Sequence, residues 1–330
     1  MTGHAANSKK RAFRPLIPTL RKALLPLGVL FCMLLFLRNS GLARASVLGG
    51  LRLAGLQVLP AVFPFLVFSE LLVSGTAPPR LATKGLQTLF RMPAAGCVAI
   101  LLGWLCGFPI GARCAVRALK NGLLTRDETE RAVAISSVPS PAFLIGGVGA
   151  GMLGNRAAGL FLYGATIFAA ATAGAVSARV GSRESTLPPP VLSPQAAQPF
   201  AKRLTSAIRG SATAALHICA FVVFFSAISG AVGAILSRFG MGAVPSAWVG
   251  SLLELSGGVA MAAELPDPRA ALLLCGAAAG WAGLSVHCQI LSVCDGYGLR
   301  SGRYFLSKAA QALLCAGAVA VWLLAHGTVG

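Results

Sequence analysis

Residues 103–113 read Gly103-Trp104-Leu105-Cys106-Gly107-Phe108-Pro109-Ile110-Gly111-Ala112-Arg113, an apolar run that closes on two glycines, a proline and an arginine. Proline removes a helix hydrogen bond and glycine tolerates unwound backbone, so a helix entering this stretch breaks at Gly107–Pro109. In lipid, unwound backbone is tolerated only where protein buries it or where it lines a cavity. A half-helix restarting after Pro109 aims free N–H groups and a partial positive charge at the break. Arg113 adds a full charge one turn along, and an anion suits that set.

The rest of the 330-residue chain says what surrounds this break. Charged residues are 11% of the total against roughly 25% in soluble domains, hydrophobic residues are 56%, and the mean hydropathy is +0.76. This composition leaves too little polar surface for a water-soluble globule. Lys and Arg number 28 against 9 Asp and Glu, a net charge of +19. Because these basic residues fall between and at the ends of apolar runs, they indicate membrane orientation rather than a nucleic-acid-binding face. The nine cysteines form no C-x-x-C pair, so neither a disulfide framework nor a zinc site is expected. No H-E-x-x-H, P-loop or dinucleotide fingerprint is present, and no metal or cofactor is expected.

Apolar runs cover 23–37, 53–73, 93–110, 132–153, 157–178, 208–236, 244–263, 270–290 and 309–325. A full helical crossing takes roughly 20 residues, so the shorter runs suit hairpins that enter and leave on one side. The expected fold is all-α: a polytopic transmembrane bundle with two inverted repeats, broken helices and re-entrant hairpins. Lys9, Lys10, Arg11, Arg14, Arg21 and Lys22 precede the first run with no acid among them, which places the N-terminus in the cytoplasm. That first run reads as a retained anchor, with a cleaved signal peptide ending near Ala43-Arg44-Ala45 as the alternative. A basic stretch with Pro188, Pro189, Pro190, Pro194 and Pro199 reads as a cytoplasmic linker. The divisions are 1–45 (basic N-terminus and first helix), 46–180 (repeat 1), 181–206 (linker) and 207–330 (repeat 2).

The repeat is read from Gly103–Ile110, echoed by Gly280–Val286, with Gly122-Leu123 and Gly298-Leu299 each fifteen residues beyond the central glycines Gly107 and Gly283. Inverted repeats with broken helices at mid-membrane are a common build of secondary transporters.

Further site candidates follow from polar groups in apolar surroundings. Thr125-Arg126-Asp127-Glu128 is a capping box that starts a helix. That helix should end at Ser136-Ser137-Val138-Pro139-Ser140-Pro141, read as a hairpin tip that presents Ser137 and Ser140. Glu254, in Leu252-Leu253-Glu254-Leu255-Ser256-Gly257-Gly258, is costly in an apolar run unless paired or functional. Ser285, His287 and Gln289 alternate in Gly283–Gln289, and in a regular helix only 285 and 289 share a face. Arg117 and Lys120 lie on the Arg113 face at helical spacing and read as a snorkelling stripe.

Pro60–Gly75 (PAVFPFLVFSELLVSG), Gly107–Arg113, Ser137–Gly151, Leu252–Gly258 and Gly283–Gln289 together resemble the sporulation integral membrane protein family called YlbJ or SpoVV. These belong with the nucleoside-recognition gate-domain proteins, akin to concentrative nucleoside transporters. Val138 stands where the family has Asn and Phe108 where it has Tyr. The resemblance spans roughly residues 46 to 325, and implies a protein of the outer forespore membrane that moves dipicolinic acid.

The expected function is therefore a multi-pass transporter of a small anionic substrate, not an enzyme, with the lipid bilayer as its partner and no nucleic acid. Pro109, Gly111, Arg113, Ser137, Ser140, Glu254, Ser256, Ser285, His287 and Gln289 are the candidate substrate residues. Arg113 is expected to neutralise one carboxylate and His287 to serve a second. Alternatives are a transporter of nucleosides or other small metabolites, and a scaffold of the sporulation membrane. A Ser285–His287 hydrolase fails the rhomboid-like pattern, because Val286 follows Ser285.

Overall fold

A computed structural model describes residues 16–75, 80–180 and 199–326. The basic cluster Lys9–Arg14 and most of the proline-rich linker lie outside these residues. Among the described residues the chain is helical with no strand. The first half comprises α1 (Leu16–Arg38), α2 (Ser40–Leu53), a π-helical turn (Ala54–Val58), α3 (Leu59–Gly75), α4 (Arg80–Phe90), α5 (Ala94–Cys106), α6 (Ile110–Lys120), α7 (Arg126–Ser136), a π-helical segment (Ala142–Met152) and α8 (Arg156–Val180). The second comprises α9 (Phe200–Arg238), α10 (Ala243–Leu253), α11 (Leu255–Ala263), α12 (Pro268–Trp281), α13 (Gly283–Cys294) and α14 (Gly302–His326).

Among the described residues, four helical stretches are long and apolar enough to cross a membrane: Arg156–Val180, Phe200–Arg238, Pro268–Cys294 and Gly302–Ala325. Two bent pairs, Pro26–Arg38 with Ser40–Val58 and Thr83–Phe90 with Ala94–Cys106, raise the number to six if each is one span. The outer faces of α8, α9 and α14 expose Phe168, Leu216, Phe224, Leu313 and Val321. Exposed apolar surface of that extent suits hydrocarbon rather than water.

Local chemistry sets the boundaries. The capping box at the start of α7 forms as its sequence requires: the Thr125 hydroxyl accepts from Glu128 N at 3.2 Å, and the Glu128 carboxylate accepts from Thr125 N at 2.8 Å. Asp267 caps α12 through Arg269 N, with Pro268 in the first turn.

Among the described residues, α5–α6 and α10–α11 are short pairs that fold back as hairpins. α5 and α6 turn at Gly107–Pro109, and their backbones come so close that a Cβ on Gly111 would lie 2.8 Å from Gly103 Cα. α10 and α11 turn at Glu254, where a Cβ on Gly258 would lie 2.2 Å from Ser251 Cα. By contrast, α7 and the π-helical segment beyond Pro141 make little contact with each other, as do α12 and α13; each is one path interrupted by a break.

Two expectations are corrected here. The Ser136–Pro141 stretch is not a hairpin tip, because the chain continues past it instead of returning. Gly107 and Gly283 are not equivalent positions: Gly107 sits at a hairpin turn, whereas Gly283 follows the left-handed Ala282 (φ 79°) inside an interrupted helix. Both glycines have positive φ, which accounts for a glycine at each position and not for equivalence.

Candidate functional site

In each half the hairpin tip crosses the interrupted helix. In the first, a Cβ on Gly107 would lie 2.7 Å from Ser140 N, and Phe108 N donates to the Val138 carbonyl at 3.0 Å. In the second, a Cβ on Gly283 would lie 3.0 Å from Leu255 N and 3.2 Å from the Ser251 carbonyl. Only glycine allows backbone to approach backbone this closely while holding positive φ.

The two crossings meet at one cavity, whose polar lining is Ser140, Glu254, Ser256 and Gln289. Gly107, Phe108 and Pro139 line it from the first half, and Val62 and Val222 close its sides from α3 and α9. Its volume is about 480 Å³ with the open mouth counted, but as a cavity only about 40 Å³. That is room for about three waters, so a solute larger than this requires the crossings to part.

Glu254 is buried and caps its own helix: its carboxylate accepts from Ser256 N at 3.0 Å and Gly257 N at 2.6 Å. An acid in an apolar run is thereby satisfied by the free N–H groups and positive end of α11. Ser140 does the same for the π-helical segment, its hydroxyl accepting from Phe143 N at 3.2 Å. The Gln289 carbonyl oxygen is buried without a partner, and α13 sends this residue into the cavity beside Val286.

The other candidates lie elsewhere. Arg113 does not line the cavity. It pairs with Glu70 at 3.2 Å, and Arg117 reaches the same carboxylate at 2.9 Å. The regular helix of α6 turns its charged face toward α3, so Arg113 is no freer than Arg117. Ser137 is buried and its hydroxyl donates to the Val133 carbonyl at 2.6 Å. Gly111 packs against Ser136, with its Cβ position 2.4 Å from Ser136 Cβ, while Pro109 begins α6 and is not part of the lining.

α13 is a regular helix, so its three polar residues splay. Gln289 lines the cavity, the Ser285 hydroxyl is buried without a partner, and His287 lies among aromatic rings. Its Nδ1 is 2.9 Å from the Tyr304 hydroxyl, and Trp281 meets it edge-on at 4.5 Å between centroids.

Sequence reading missed the groups that hold α7 at its break. Pro139 and Pro141 have no N–H, so the carbonyls of Ile135 and Ser137 lose the donors that a continuing helix would supply. Trp104 Nε1 donates to Ile135 O at 3.1 Å and Lys308 Nζ donates to Ser137 O at 2.9 Å. Val138 N turns aside to Ser136 O, and Gln311 Nε2 fills the vacated Ala134 O at 3.0 Å. The signal was present as two prolines that orphan two carbonyls, and as Lys308 and Gln311 three residues apart in an apolar helix.

The class of protein this fold defines is a helical chain with several segments able to span a membrane and polar groups gathered where its helices are interrupted. Comparison with protein families, with characterised proteins and with solved structures finds no match to this chain.

Proposed function

We propose that this chain is a membrane transporter of a small polar solute, which it holds at the cavity where the two crossings meet. The observation that carries the reading is the convergence of both hairpin turns, the Val138–Pro141 break and α13 on that one cavity. Interrupted backbone in lipid is tolerated where protein buries it or where it lines a cavity, and here it does both; rocking one crossing against the other would expose the cavity to each face in turn.

The reading includes inverted repeats, paired by element order: α5–α6 with α10–α11, α7 and its π-helical continuation with α12–α13, and α8 with α14. Asp127 pairs with Arg303, and Glu130 accepts from Arg300 N at 2.8 Å, joining the start of α7 to the start of α14. Ala158, Ala262 and Leu272 pack together around the start of α8, the end of α11 and the start of α12. One hairpin then enters from each face. The positive-inside rule assigns residues 1–22 and the linker to the cytoplasm.

For the solute, the resemblance to the sporulation family makes dipicolinic acid, crossing the outer forespore membrane, the first choice. One observation favours a second: the polar lining is two hydroxyls, an amide and a capped carboxylate, with Arg113 engaged by Glu70. Such a set suits a neutral, hydrogen-bonding solute such as a nucleoside.

Uptake of labelled dipicolinate and of a labelled nucleoside into proteoliposomes containing the purified protein decides between them. Uptake of neither, by protein that keeps its fold, removes the transport reading and favours a scaffold.

A further inference from the structure

Lys308 is fully buried in α14, a helix long and apolar enough to cross a membrane. Its ammonium makes two hydrogen bonds, to Ser137 O at 2.9 Å and to Gln311 Oε1 at 2.9 Å. The Gln311 amide is oriented for this task, since its nitrogen donates to Ala134 O and to the Ser307 hydroxyl. Lys308 thus sits where the negative end of the α7 dipole meets the Ser137 carbonyl that Pro141 leaves open. Backbone carbonyls and a side-chain amide are also the ligands that hold a small cation.

The surrounding ionisable groups do not neutralise it by hydrogen bonding. On α7, Asp127 is engaged by Arg131 and Arg303, Glu128 by the capping box and Glu130 by Arg300. α13 brings His287, which is bonded to Tyr304 of α14; α8 brings Tyr163 and Thr166, which bond Trp104 O and Leu162 O. Cys315, two turns along α14, is a thiol against Thr166, and Cys275 is the buried thiol of α12, which packs along α14.

We propose that Lys308 is a proton site that couples transport to proton movement, its ammonium taking the place of a bound cation at the α7 break. Losing the proton breaks one Nζ–H bond, leaves the electron pair on nitrogen and passes the proton to water. The amine keeps two donors, but hydrogen bonds from a charged donor are roughly twice as strong as neutral ones. Its grip on Ser137 O weakens, and with it the link from α14 to the break that carries Pro139 and Ser140 into the cavity.

This rests on the transport reading, and the test separates the two. Ser140→Cys, in a background lacking the nine native cysteines, is labelled with a maleimide from mildly acid to mildly alkaline pH. Rates are divided at each pH by those of the same protein carrying Lys308→Gln, which removes the thiol's own pH dependence. The ratio should rise several-fold with pH to a plateau. Gln311→Glu places a carboxylate beside the ammonium and favours its charged form, so the rise should move to higher pH. A flat ratio, or a rise that Gln311→Glu leaves in place, overturns the proposal even if dipicolinate is taken up. A rise that moves as expected, without uptake of any solute, keeps the proton site and removes transport. If Lys308→Gln does not fold, the displacement between Gln311→Glu and the parent decides alone.

Discussion

Gly107 and Ser140 stand so close that a side chain on the first would collide with the backbone of the second: a Cβ at Gly107 would lie 2.7 Å from Ser140 N and 2.8 Å from Ser140 Cβ. This contact ties the α5–α6 turn to the break in the path that begins with α7, and it determines what glycine does here. Gly122 also has positive φ, but a Cβ there would meet nothing within 4 Å. Gly122→Ala should therefore cost about 1–2 kcal/mol for the left-handed backbone alone. Gly107, at φ 80° and ψ −178°, holds a backbone region that is essentially glycine's alone, so Gly107→Ala costs about 1–3 kcal/mol for the backbone and adds overpacking of about 1–3 kcal/mol. Thermal unfolding of the two variants in detergent measures the difference, and equal losses would show that the crossing is looser than described.

Arg113 and Arg117 should behave alike. Both reach the Glu70 carboxylate from partly exposed positions, with side-chain exposures of 31% and 44%, so each pair is worth about 0–1 kcal/mol. The sequence alone suggests otherwise, with about 2–5 kcal/mol in substrate binding lost for Arg113→Gln, as on breaking a buried charge pair. Uptake assays on Arg113→Gln and Arg117→Gln should give similar, near-parental affinities. A selective loss with Arg113→Gln would return that arginine to the site.

Trp104→Phe keeps a ring against Phe90, which it meets edge-on at 6.2 Å, but removes the donor to Ile135 O. A buried carbonyl left without a partner costs about 1–3 kcal/mol. Denaturant or thermal unfolding should show that loss. A neutral result would mean that water takes over the carbonyl.

Glu254→Ala should destabilise by about 1–3 kcal/mol, since Ser256 N and Gly257 N both lose their acceptor at the buried start of α11. Glu254→Gln retains one acceptor oxygen and should lose less. If the two variants unfold at the same temperature, the carboxylate is not the cap that its geometry indicates.

Topology is open to direct labelling. Single cysteines at Leu123 and Tyr297 should react from one face of the membrane, and those at Asn155 and Asp267 from the other. Labelling of Leu123→Cys and Asp267→Cys from the same face would rule out a hairpin entering from each side.

Much of this was legible in the chain itself. Composition and apolar runs determine a helical protein with membrane-length segments, because burial of apolar surface and the closure of backbone hydrogen bonds are local demands. The break at Gly107–Pro109, the capping box at Thr125 and the importance of Glu254 follow from residue types with few other uses in such surroundings. What only the tertiary structure decided was partnership. Gly107 and Gly283 share positive φ yet one turns a hairpin and the other interrupts a helix, a difference set by whether the next segment packs back on the last. Arg113 is engaged because α3 happens to present Glu70, and the carbonyls orphaned by Pro139 and Pro141 are filled by Trp104 from α5 and Lys308 from α14. A sequence shows that a donor is missing; it cannot show which helix supplies it, because that depends on contacts between residues as far apart as Ser137 and Lys308.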